Sequence, residues 1–215
     1  MAIKANFSDL VEVVVGPIGR GLARIGFTPN LLTSMGIILT GLAAWLVVVE
    51  RPMLAGVVLI FGGLSDTFDG AVARARGTSS PFGGFYDSVS DRVSDGIILA
   101  ALAWSVRDEP LLFGLVCTAL VTALTTSYVR AKAESVGADC SVGLLERAER
   151  AMLVIAALIL SFLLEPILWV LAVGGSFTVG QRVLHVRRQL LDRPEVFAGG
   201  RPAPRTVVGE PGTEG

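Results

Sequence analysis

The chain has 215 residues, of which 52% are hydrophobic and 17% charged, with a formal net charge of −1. With a mean hydropathy of +0.66, these values exclude a soluble globule and describe one membrane domain. A balance this close to neutral gives no grounds for a nucleic-acid partner. The two cysteines, Cys117 in an apolar run and Cys140 in a polar loop, are expected to form neither a disulfide nor a metal pair. The N-terminus lacks the basic, apolar and small-residue blocks of a cleavable signal peptide.

In chain order, residues 1–27 come first. Phe7, Leu10, Val14, Ile18, Leu22 and Ile25 recur at three- and four-residue intervals. That period predicts an interfacial amphipathic helix on the membrane surface, bent at Gly16-Pro17. Thr28-Pro29-Asn30 then opens a first span over 31–49, with Asn30 as the expected N-cap. Free amides at such a helix start also attract phosphate. Further spans are expected over 53–75, 84–105, 110–131, 148–165 (closed by Glu165-Pro166) and 167–186. The expected fold is therefore all-α integral membrane: six transmembrane helices within residues 28–190, preceded by the surface helix. Residues 191–215 are rich in Pro, Gly and charge and are expected to form a disordered cytoplasmic tail. With six spans and the N-terminus inside, Arg51 and Arg107 are the only two of the 18 Lys and Arg that fall outside. This satisfies the positive-inside rule for a cell (plasma) membrane protein.

Four acids lie in the second and third spans. Asp66 and Asp69 are three residues apart, and Asp87 and Asp91 four, so each pair shares a helix face. Gly77, Pro81, Gly83 and Gly84 mark a turn between the pairs, and antiparallel packing would bring them to similar depth. Carboxylates inside a membrane are expensive and mark a functional site. A divalent cation is their natural partner, and oxygen-only ligands favour Mg²⁺ or Mn²⁺ over zinc. Gly62, Gly63, Gly70 and Ala73 leave room for a ligand to approach the helix. A blander reading pairs the acids with Arg74, Arg76 and Arg92. A reading of another class, an ion transporter, would need acids across the full membrane depth, whereas these occupy one half.

The pattern Asp66-x2-Asp69-Gly70-x2-Ala73-Arg74-x8-Gly83-x3-Asp87-x3-Asp91 resembles the signature of the CDP-alcohol phosphotransferases. These membrane enzymes move a phosphatidyl group from a CDP-linked lipid to an alcohol and release CMP. The resemblance implies that Asp66, Asp69, Asp87 and Asp91 hold Mg²⁺ (or Mn²⁺), as a pair of ions, with Asp91 also the catalytic general base. It implies that Gly70 and Arg74 hold the nucleotide of CDP-diacylglycerol, with Ser80 and the segment Pro29, Asn30, Leu31 and Leu32 as further candidates. It also implies a homodimer with a polar cavity open to the cytoplasm and a side gap for acyl chains.

A second polar constellation runs from Ser127 to Glu134 and from Glu146 to Arg150. It is either a topology-setting loop that touches anionic lipid or a pocket for a phosphorylated acceptor. Arginine's planar fork suits phosphate, so Arg130, Lys132, Arg147, Arg150 and Arg182 are the expected acceptor-phosphate residues. The Tyr128-x-Arg130-Ala131-Lys132-Ala133-Glu134 run and Glu146-Arg147-x-x-Arg150 are similar to the family branch that makes phosphatidylinositol phosphate in bacteria. They are also similar to the phosphatidylglycerophosphate synthases, which would use glycerol 3-phosphate. The branch implies transfer from CDP-diacylglycerol to 1D-myo-inositol 3-phosphate in phospholipid biosynthesis. Asp95, one turn past Asp91, faces either the acceptor hydroxyls or a basic residue.

Overall fold

Proline opens four of the helices. The computed structural model describes residues 15–192; the expectations for residues 1–14 and for the tail beyond Asp192 lie outside them. A helix over 15–24 (α1) is followed by α2 (Pro29–Val48), α3 (Pro52–Arg76), α4 (Pro81–Ser105), α5 (Pro110–Ser135), α6 (Arg147–Ile159), a 3₁₀ turn (Ser161–Leu163) and α7 (Leu164–Leu191). The first N–H of a helix has no partner within it, so a proline there loses nothing and arrives with a helical φ. The residue before each proline is pushed out of the helical region and becomes the cap. Thr28 is extended, and its side chain accepts from Leu31 N. Ser80 does the same for Gly83 N. The expectation of Asn30 as cap is thus corrected: with Pro29 at the first position, Thr28 caps and Asn30 lies in the first turn.

The fifth span also ends differently from its expectation. α6 stops at Ile159, and Glu165 and Pro166 fall in the first turn of α7. Pro166 is harmless there for the same reason as the other helix-opening prolines. The chain breaks at Leu160 instead, which leaves the helical region at φ −111°, ψ 78°.

Four segments, Pro29–Val48, Pro52–Arg76, Pro110–Ser135 and Ser161–Leu191, are long and apolar enough to cross a membrane. α4 has 25 residues, but it carries Asp87, Asp91, Arg92 and Asp95 and so falls short in hydropathy. α6 has 13 residues, about 20 Å at ~1.5 Å per residue, against a hydrocarbon core of about 30 Å.

α2 packs on α3 and α4, α5 on α4 and α7, and α6 on α3 and α7. The core where they meet holds Ala43, Val47, Leu99, Leu102, Val116, Ala119, Leu158 and Leu168. Large apolar side chains such as Trp45, Phe61, Val121, Phe162 and Phe177 point outward, as the lipid-facing surface of a membrane protein requires. Small residues set the helix crossings. A Cβ at Gly175 of α7 would stand 2.5 Å from Thr122 Oγ1 of α5, and one at Gly56 of α3 would stand 2.5 Å from Ile159. The described part of the N-terminal helix is packed as well as peripheral. Gly19 is buried, and a Cβ there would stand 2.6 Å from that of Ala71 in α3. The Ala23 carbonyl accepts from Arg76 at 3.1 Å.

Candidate active site

The turn between α3 and α4 sets the register of the acids. α3 ends on Gly77, in the left-handed region at φ +63°, where a side chain would be strained. Ser80 and Pro81 then start α4 in the antiparallel direction. One carboxylate oxygen each from Asp66, Asp69 and Asp87 comes to rest within 4.8 Å of the others. The sequence pairs thus converge, but as a trio: Asp91 stands outside it.

Asp91 and Asp66 are instead joined through α6. Arg147, its first residue, donates from Nη1 to Asp66 Oδ2 at 2.6 Å, and its Nη2 lies 2.8 Å from Asp91 Oδ1. Arg92 adds a 3.3 Å contact to Asp91. Asp95 is paired with a basic residue: Arg150 Nη2 donates to it at 3.0 Å, with Arg147 Nε 3.8 Å away. Of the bland pairings with Arg74, Arg76 and Arg92, only that of Arg92 with Asp91 forms among the described residues; the other basic partners of the acids come from α6.

Thr33 was not expected here. Its hydroxyl donates to Asp69 Oδ2 at 2.6 Å, which fixes the orientation of that carboxylate. Nearby, Ser34 Oγ and Tyr86 OH are 2.9 Å apart and tie α2 to α4. At Gly36 a Cβ would come 3.5 Å from Asp66 Oδ1, so the missing side chain keeps space beside that acid.

Among the described residues, Asp66, Asp91 and Asp95 pair with the guanidiniums of Arg92, Arg147 and Arg150, while Asp69 and Asp87 have no ion pair, so five carboxylates stand against three guanidiniums. The excess is negative, and charge at this depth needs compensation. The trio's spread and its oxygen-only donors fit a hard divalent cation.

Two cavities adjoin the acids. One of about 420 Å³ is lined by Pro29, Asn30, Gly70, Ser80 and Gly83, with Asp69 and Asp87 at its wall. It brings together four of the expected nucleotide residues and adds Thr33, Arg76, Thr78 and Ser79. Arg74 is not in its wall. Leu32 is buried in the core and Leu31 is exposed; neither lines the cavity. The second cavity, about 100 Å³, is lined by the polar Asp66, Asp95, Arg147 and Arg150 and by the apolar Ile98, Leu99 and Val154.

The five basic residues expected around an acceptor phosphate do not share one pocket. Arg147 and Arg150 face the smaller cavity. Arg182 is buried, donating from Nε to the Val142 carbonyl at 2.7 Å and from Nη1 to that of Thr126 at 2.9 Å. Its guanidinium pins the loop after α5 to the helix, because the Val142 carbonyl lies outside any helix while that of Thr126 belongs to α5. Arg130 is exposed and pairs with Glu134 at 3.0 Å. Lys132 lines an apolar groove between the ends of α5 and α7. Cys117 and Cys140 are both free.

Residues 27–179 match the profile of the CDP-alcohol phosphatidyltransferase family. The archaetidylinositol phosphate synthase of Methanothermobacter thermautotrophicus is 37% identical over 193 residues, covering 86% of this chain and 94% of that one. The phosphatidylinositol phosphate synthase of Mycobacterium marinum is 36% identical over 187 residues, covering 80% and 79%. The crystal structure of the Mycobacterium tuberculosis phosphatidylinositol phosphate synthase with CDP-DAG bound superposes with a TM-score of 0.75 at 32% identity, covering 80% of this chain and 93% of that one. The same enzyme in complex with manganese and citrate gives a TM-score of 0.74 at 32% identity, covering 80% and 88%.

Proposed function

The chain belongs to the CDP-alcohol phosphatidyltransferase family, and from that premise we propose that it transfers the phosphatidyl group of CDP-diacylglycerol to 1D-myo-inositol 3-phosphate, releasing CMP. The observation that carries this reading is the trio Asp66, Asp69 and Asp87 at the junction of the two cavities. The larger cavity has the size and polar wall for a cytidine diphosphate. The smaller one reaches the trio at Asp66, with Asp95, Arg147 and Arg150 in its wall, where an alcohol would enter.

Asp66, Asp69 and Asp87 hold a divalent cation, Mg²⁺ or Mn²⁺. When bound, the cation would supply positive charge to the diphosphate and to the departing CMP, and Asp91 would be a further ligand for a second ion. Thr33 keeps Asp69 oriented. Pro29, Asn30, Gly70 and Ser80 border the nucleotide, with Arg74 reaching it from the last turn of α3. Asp91 takes the proton of the acceptor hydroxyl as its oxygen bonds to the lipid-side phosphorus and the bond to CMP breaks. The acceptor's own phosphate is read by the basic residues at the ends of α5 and α6. Arg130 and Lys132, exposed at the end of α5, are the most accessible of these.

In this reading α4 and α6 complete six crossings, α1 lies at the interface, residues 28–190 form the catalytic domain, and the acids open to the cytoplasm at the plasma membrane. The enzyme works as a homodimer, as the family resemblance implies. A competition assay tests the acceptor. Full-length protein is given CDP-diacylglycerol, Mn²⁺, and equal inositol 3-phosphate and glycerol 3-phosphate, with products identified by mass. Phosphatidylinositol phosphate should dominate; phosphatidylglycerophosphate as the main product would move the chain to the other branch.

A further inference from the structure

Asp66 serves two partners at once. It supplies one oxygen of the trio with Asp69 and Asp87, and its Oδ2 accepts the 2.6 Å hydrogen bond from Arg147. The same guanidinium reaches Asp91. Arg147 therefore supplies positive charge where a divalent cation would also supply it. Its own bonding is incomplete. Nε is buried with no hydrogen-bond partner, and Asp91 Oδ1, although 2.8 Å from Nη2, accepts no aligned hydrogen bond. An alternative partner is close, because Asp95 Oδ1 lies 3.8 Å from Nε. Arg147 also begins α6, where only one flank is held by helical structure, so its side chain can shift without unwinding a turn.

We propose that Arg147 is an exchangeable counter-ion. It holds Asp66 and Asp91 together when no divalent cation is present, and it releases Asp66 toward Asp95 when that carboxylate becomes a metal ligand. This rests on the metal site of the proposed function. A guanidinium at hydrogen-bond distance from Asp66 repels a dication held by the same carboxylate, so the two compete. Without the guanidinium, the clustered carboxylates would repel one another at membrane depth. Arg147 thus keeps the acids assembled before loading, and in doing so it weakens metal binding.

The sign of that effect separates exchange from ordinary support. A residue that merely orients Asp66 strengthens metal binding, and its loss weakens it. An exchangeable counter-ion does the reverse. Calorimetric titration of full-length protein in detergent with Mn²⁺ reads this directly. Arg147→Gln should bind Mn²⁺ roughly tenfold to a hundredfold more tightly than wild type, the scale of one lost charge-assisted hydrogen bond. Equal or weaker binding overturns the exchange. A second measurement needs no variant. Phenylglyoxal modification of the wild-type chain, read by peptide mass spectrometry, should speed up at Arg147 when Mn²⁺ is added and stay constant at exposed Arg130. An unchanged or slower rate at Arg147 overturns the proposal even if the variant does not fold. Absence of Mn²⁺ binding by wild type overturns the metal site itself; binding with Arg147 unmoved overturns the exchange alone.

Discussion

Thr33 donates a 2.6 Å hydrogen bond to Asp69 and so joins the first turns of α2 to the acids of α3. Asp69 is itself buried, and a buried carboxylate that loses its donor is left poorly solvated. Thr33→Val keeps the shape and removes the hydroxyl. It should weaken Mn²⁺ binding by roughly tenfold or more, given ~1.5–3 kcal/mol for a hydrogen bond to a charged group. Thr33→Ser should restore most of it. Calorimetry on the two variants checks this, and equal affinities for Val and wild type would remove Thr33 from the site.

In the proposed mechanism the acids separate by role. Asp66→Asn, Asp69→Asn and Asp87→Asn should each reduce transfer to near background while the protein stays folded in detergent, because each removes a ligand charge from one cluster. Asp91→Asn should still bind CDP-diacylglycerol but fail in the chemical step. Single-turnover CMP release alongside lipid binding distinguishes them. Loss of CDP-lipid affinity alone in Asp91→Asn would contradict its role as base.

Much of this arrangement was legible in the residues. The helices and the meeting of Asp66, Asp69 and Asp87 follow from helical spacing around a glycine- and proline-marked turn, which is local information. What escaped depends on contacts between distant segments. Nothing near Asp66 in sequence points to Arg147 of α6, and Thr33 is an ordinary helix threonine until α3 packs beside it. The break at Leu160 was missed because Pro166 is the louder signal, although a first-turn proline ends nothing. Arg182 looked like a phosphate ligand by composition, yet its N–H groups are occupied by carbonyls.

The basic residues should therefore divide in their kinetics. Arg130→Ala and Lys132→Ala should raise the acceptor KM with little change in CDP-diacylglycerol affinity, because a phosphate remote from the reacting bond is held alike before and during reaction. Arg182→Ala should instead lower thermal stability, by about 1–3 kcal/mol for the Val142 carbonyl left without its donor. Kinetics with both substrates, together with thermal unfolding in detergent, tests the division. A selective acceptor-KM effect in Arg182→Ala without loss of stability would contradict it.

The crossing of α5 and α7 should tolerate no added methyl. Gly175→Ala would set a Cβ 2.5 Å from Thr122 Oγ1. Thr122 is β-branched and its hydroxyl is bonded back to Thr118 at 2.9 Å, so it cannot turn away freely. The cost should be about 1–3 kcal/mol, seen as a lower unfolding temperature. Gly114→Ala, where nothing stands within 4 Å, should be neutral or slightly stabilising and serves as the control.

The central claim is metal-dependent phosphatidyl transfer at the aspartate trio. Its most direct test follows CDP-diacylglycerol and inositol 3-phosphate with full-length protein and Mn²⁺, quantifying CMP and lipid product together. The account predicts CMP and phosphatidylinositol phosphate in equal amounts, both abolished by chelation and by Asp69→Asn. Product formation that survives chelation or Asp69→Asn, or CMP released without phosphatidylinositol phosphate, would contradict it.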